Sequence, residues 1–71
     1  MALAENLQER RESRGMTQQV LAEKIGVTQM AVSFFESGKK IPSVAVLEKM
    51  ADALGCSIDW LLGRKITKET K

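Results

Sequence analysis

Three times in this chain a glycine is followed, two residues later, by a hydroxyl side chain: Gly15-Met16-Thr17, Gly26-Val27-Thr28 and Gly55-Cys56-Ser57. Glycine readily takes the left-handed conformation that ends a helix, and a serine or threonine oxygen accepts a free backbone N–H at the start of the next one. Each triplet therefore reads as a helix stop joined directly to a helix start. A chain punctuated in this way folds as a string of short helices with tight corners, and nowhere does it show a sustained β alternation, an internal repeat or a low-complexity tract.

Apolar spacing fills in the segments between these marks. Leu3 and Leu7 predict a first helix over Leu3 to Arg14, stopped by Gly15. Thr17 caps a second, Gln18 to Ile25, with Val20, Leu21 and Ile25 on its inner face. Thr28 caps a third, Gln29 to Ser37, in which Ala31, Val32 and Phe35 recur at helical spacing before Gly38. Pro42 makes GKKIP a turn, and Ser43 caps a fourth helix striped by Leu47, Met50, Ala51 and Leu54. Ser57 opens a last short helix, with Asp59 at the positive end of its dipole, Ile58, Leu61 and Trp60 towards the core, and Gly63 as its stop. Met16 and Cys56 are read as core positions. The expected fold class is all-α: a compact bundle of five short helices over residues 1–63. Residues 64–71 form a polar tail or the start of a linker.

With 71 residues the chain makes at most one domain. It has one cysteine and no histidine, so within one chain disulfides, Cys/His zinc sites and histidine acid–base chemistry lack their ingredients. Glu23 and Glu36 make no catalytic carboxylate pair and no phosphate-cradling glycine loop is present, so we expect no enzyme, cofactor, metal or small-molecule substrate. No apolar run reaches the roughly 18 residues that a membrane span needs, and a cytoplasmic protein is expected. Net charge is only +2, but its distribution is uneven. Acids gather in the first helix and between Glu48 and Asp59, whereas the stretch from Gly26 to Lys40 contains one acid, Glu36, and ends on Lys39 and Lys40. That stretch suits a polyanion.

Two short helices joined by a tight glycine turn describe a helix-turn-helix, whose second helix projects into the major groove of DNA. The string TQQVLAEKIGVTQMAVSFFESGKKIP followed by LEKMADALGCSIDWLLG resembles the phage repressor and Cro-type helix-turn-helix family over roughly residues 3 to 63. The resemblance implies a lambda-repressor-like fold and a bacterial or phage-encoded, sequence-specific transcriptional regulator, a repressor that binds a near-palindromic operator in double-stranded DNA as a homodimer. It implies a structural ion pair between Arg11 and Glu36. It places Gln29, Met30, Ser33 and Phe34 against base edges and Thr17, Gln18, Thr28, Lys39 and Lys40 against phosphates. Gln29 is the expected main reader, because its amide matches the donor and acceptor on the major-groove edge of adenine. Met30 and Phe34 depart from the polar residues common at those family positions, and their apolar surfaces suit thymine methyl groups. It also implies that Trp60 and Leu61, instead of facing the core, cover a dimer seam.

Plainer readings stand beside these. Phe34 and Phe35 are both core if the helical phase is one residue off, Lys39 and Lys40 are ordinary solvated turn lysines, and Arg10 and Arg14 either reach phosphates or sit in solvent beside Glu9 and Glu12. At the level of function the alternatives are an antitoxin or restriction-modification controller of the same DNA-binding class, and a protein-interaction module that has kept the fold but docks through Met30 and Phe34.

Overall fold

The hydroxyl-and-glycine punctuation divides residues 2–63, the part that this computed structural model describes, into five helices: α1 (Ala2–Ser13), α2 (Gln18–Ile25), α3 (Gln29–Ser37), α4 (Val44–Leu54) and α5 (Ile58–Leu61). Among the described residues there is no strand. Residues 64–71, expected to be a tail or linker, lie outside the described part.

Every expected cap is in place. Thr17 Oγ1 accepts from the N–H of Val20 at 3.1 Å, Thr28 Oγ1 from Ala31 at 3.1 Å, Ser43 Oγ from Val46 at 3.2 Å and Ser57 Oγ from Trp60 at 3.0 Å. The corner between α2 and α3 is tight. Gly26 sits at φ +76°, which lets both its own N–H and that of Val27 turn back to the carbonyl of Ala22. A side chain at Gly26 would strain this corner even though the space around it is open.

Burial then follows from the helical period. Leu7 of α1, Leu21 of α2, Val32 of α3, Met50 of α4 and Leu61 of α5 are all fully enclosed, so each helix sends at least one side chain into a single core. α1 packs against α3 and α5, α2 against α3 and α4, and α4 against α5. Phe35 is buried while Phe34 is only half-covered, so the expected phase of α3 holds. Met16 and Cys56 are partly buried and pack on the core edge. Burial pushes the Cys56 thiol up in pKa, with the positive charges of Arg10 and Arg14 opposing it.

Three expectations need correction. Val20 is 39% exposed, because the inner arc of α2 is Leu21, Ala22 and Ile25 and Val20 falls at its edge. Trp60 is 38% exposed and stands outside the core, with the Arg10 guanidinium 5.6 Å from its ring centroid. Leu61 is the reverse case: it is fully buried in the chain's own core and has no surface left for a dimer seam.

The first helix also closes the ends of the last two. Arg10 donates from Nε to the carbonyl of Leu54 at 3.0 Å and from Nη2 to that of Gly55 at 2.9 Å, so a cation answers the negative end of α4. Asn6 Nδ2 donates to the carbonyls of Trp60 and Leu61 at 3.1 and 3.2 Å. Two N–H groups of Arg10 are thereby engaged by the chain's own carbonyls, so Arg10 does not simply sit in solvent beside Glu9 and Glu12.

Leu7 is fully enclosed on α1, the helix that packs against α3 and α5, so Leu7→Ala is expected to cost about 2–5 kcal/mol of unfolding free energy. Urea denaturation followed by circular dichroism measures it. A loss well under 1 kcal/mol would mean that α1 is not part of the cooperative core.

Candidate nucleic-acid interface

The third helix carries two opposite faces. Val32 and Phe35 point inward, whereas Gln29, Met30 and Ser33 are exposed, Met30 at 65%. Phe34 lies between the two faces. Thr28 is exposed and spends its hydroxyl oxygen as acceptor for the N–H of Ala31, leaving the hydroxyl hydrogen available to a phosphate oxygen. Thr17 does the same at the start of α2, where the first backbone N–H groups have no partner within the helix. Such a helix end is electrostatically suited to an anion.

Glu36, at the far end of α3, turns the other way. Its side chain is only 4% exposed and that of Arg11 only 9%. Arg11 donates from Nε to Glu36 Oε2 at 2.6 Å and from Nη2 to Oε1 at 3.1 Å, the two-pronged geometry that a guanidinium and a carboxylate match best. A third prong, Nη1, donates to the carbonyl of Met16 at 2.7 Å. The hydrogen bond to Glu36 drives the Arg11 pKa above its ordinary value, overriding the opposing effect of burial. Arg11 also lies 3.7 Å from the exposed carboxylate of Glu12.

Gln18 joins this pair. Its Nε2 donates to Glu36 Oε1 at 3.0 Å, so one carboxylate receives donors from α1 and α2 while belonging to α3. Sequence reasoning placed Gln18 against phosphate only and missed this bond. Eighteen positions separate the two residues, and nothing in the local pattern marks their meeting. One amide hydrogen of Gln18 remains beyond the one given to Glu36, so the bond does not by itself use up its donor capacity.

The pairing also shapes the charge of the surface. From Gly26 to Lys40 the only acid is Glu36, and it is withdrawn into the interior against Arg11. Lys39 and Lys40, both exposed, are the charges that this stretch leaves outside. Their ammonium groups lie 5.8 and 5.5 Å from the centroid of the Phe34 ring. Arg14 reaches instead towards Gly55, where a β-carbon would come within 2.9 Å of its Nη2.

Comparison with known proteins agrees with this geometry. A family model described as helix-turn-helix matches residues 7–61. Over 71 residues the chain is 38% identical to the cryptic phage CTXphi transcriptional repressor RstR of Vibrio cholerae, an alignment that covers 100% of this chain and 63% of that protein. The chain thus spans less than two thirds of the length of this curated relative. Its structure is similar to that of the P22 c2 repressor protein in complex with a synthetic operator, with a TM-score of 0.83, 27% identity, and 99% of this chain and 98% of that one covered. The N-terminal DNA-binding domain of SinR from Bacillus subtilis gives a TM-score of 0.81 at 30% identity, covering 92% of this chain and 96% of that one. The five-helix fold expected from the sequence is the fold of these domains.

Removing the carboxylate strands a buried cation, so Glu36→Ala is expected to cost about 3–5 kcal/mol in urea denaturation. Gln18→Ala removes one bond at a partly open position and is expected to cost about 1 kcal/mol. Equal losses in the two variants would show that the carboxylate is not the anchor described here.

Proposed function

We propose that this chain, which belongs to the helix-turn-helix family, is a sequence-specific DNA-binding transcriptional regulator that represses by occupying an operator. The observation that carries the reading is the exposed face of α3. Gln29, Met30 and Ser33 project from a helix whose other face is fixed in the core, and the capped ends of α2 and α3 and the two lysines flank them. In the proposed complex α3 enters the major groove, Gln29 reads adenine N6 and N7, and Met30 lies against thymine methyl groups. Thr17, Gln18, Thr28, Lys39 and Lys40 hold the backbone and set register without reading sequence.

The regulator acts as a homodimer on a near-palindrome, with two copies of α3 about 34 Å apart along the duplex. Trp60, partly exposed beside Arg10, is the member of the expected seam that retains surface to offer. The relative RstR is a repressor by name, and the P22 c2 repressor is held on a synthetic operator, which supports the reading. The protein works without catalysis and in the cytoplasm, where its DNA lies; among the described residues no helix is long and apolar enough to cross a membrane. A protein-docking module is the second reading, favoured by the exposure of Met30, Ile41 and Val44.

Selection of bound sites from a random duplex library at near-physiological salt tests the proposal. Enrichment of A·T-rich half-sites one turn apart is expected, and Gln29→Ala should lose about 1–3 kcal/mol of discrimination at one base pair while the fold is retained. Affinity should fall steeply with salt, log K dropping by roughly 0.9 per phosphate contact for each tenfold rise in concentration. An unenriched library together with salt-insensitive binding would favour the docking module instead.

A further inference from the structure

We propose that Phe34 is a positioning residue: it gathers Lys39 and Lys40 into one doubly charged clamp for a backbone phosphate, and it is not a base reader. The inference rests on the DNA-binding reading and assigns Phe34 a different role within it.

Main-chain geometry supplies the first observation. The carbonyl of Phe34 accepts the N–H of the capping Gly38, the N–H of Lys39 at 2.9 Å and, more distantly, that of Lys40 at 3.3 Å. Ser37 Oγ donates to the same oxygen at 3.2 Å. Gly38 at φ +80° makes this wrapping possible, since it reverses the chain over the last turn of α3. Both lysines therefore start from backbone tied to Phe34.

Side-chain geometry supplies the second. Both ammonium groups stand within 6 Å of the same ring centroid, the range in which the negative face of an aromatic ring attracts a cation. Two adjacent lysines otherwise repel and swing apart into solvent. No carboxylate holds them, because among the described residues neither forms an ion pair and the nearby Glu36 is committed to Arg11. The ring is the group that both ammonium groups approach. A phosphodiester, with one negative charge and two free oxygens, is the anion that such a pair of ammonium groups accepts. A ring occupied by two cations is also poorly placed to lie on a thymine methyl.

The test compares Phe34→Leu, which keeps an apolar side chain but no ring, with Phe34→Tyr, which keeps the ring. In the free protein, nuclear magnetic resonance should show the ε-methylene protons of Lys39 and Lys40 shifted upfield by the ring in wild type and Phe34→Tyr, and at ordinary positions in Phe34→Leu. With mixed-sequence duplex DNA as probe, Phe34→Leu should weaken binding roughly three- to tenfold and Phe34→Tyr should restore it. The salt slope of Phe34→Leu should be shallower by up to about 0.9 for each lysine that no longer neutralises a phosphate. Its preference between A·T-only and G·C-only duplexes should equal that of wild type. Thermal unfolding separates any loss of fold from loss of binding, and Phe34→Tyr controls for it. An altered A·T preference in Phe34→Leu overturns the proposal in favour of base contact, and unchanged affinity across the salt series overturns it outright. Absence of ring shifts in wild type does the same without reference to DNA. A wild-type protein that shows the shifts but binds no duplex overturns the DNA reading, and the phosphate clamp with it.

Discussion

The Glu36 carboxylate is the point through which the first three helices are fixed to one another. It belongs to α3 and receives Arg11 from α1 and Gln18 from α2. Burying a charge pair is costly, and apolar residues of the same volume frequently stabilise a protein as well or better. What the pair adds is direction. Methylene groups pack acceptably over a range of angles, whereas N–H groups converging on two oxygens accept few arrangements. With α2 and α3 joined by the Gly26-Val27 corner and tied at the other end through Glu36, the angle at which α3 is presented is set from both sides.

The same constraint decides where charge appears. Were Glu36 to point outward, the face of α3 would carry a carboxylate, which would repel the backbone of DNA in the proposed complex. Turned inward against Arg11, it leaves that face with polar amides, hydroxyls, one thioether and the two lysines. A single buried contact thus orients α3 and withdraws its one carboxylate from the exposed face. The weak net charge of the whole chain hides this, because its acids are concentrated on α1 and from α4 onward.

Most of the fold was legible because its marks are local. Thr17, Thr28, Ser43 and Ser57 announce helix starts through a hydrogen bond spanning three residues, and a glycine announces an end through its own backbone, so α2 and α3 have the expected boundaries to the residue. What was not legible depends on partners far along the chain. Arg10 belongs to the carboxyl end of α4 and Asn6 to that of α5, bonds across more than forty positions that no periodicity reveals. Trp60 and Leu61 are expected together in a seam, yet they are neighbours on a helix and must face different ways, one half-open and one enclosed. Gln18 was given one role when its amide has hydrogens for two.

The division of α3 into a fixed face and an open one has a consequence for how such a domain changes its target. Val32, Phe35 and Glu36 hold the helix, while Gln29, Met30 and Ser33 lie outside the core, where a substitution breaks no buried packing. Exposed positions of this kind usually alter stability by less than about 0.5 kcal/mol when replaced, whereas a changed base contact shifts discrimination by about 1–3 kcal/mol. On the proposed reading, target preference can therefore drift with little effect on folding. Phe34 sits on the boundary between the faces, half-buried and bound through its carbonyl to the lysine turn. Its ring lies 5.8 and 5.5 Å from the ammonium groups of Lys39 and Lys40, so on the proposed reading a change of side chain there acts on the lysine turn as well as on the surface offered to DNA.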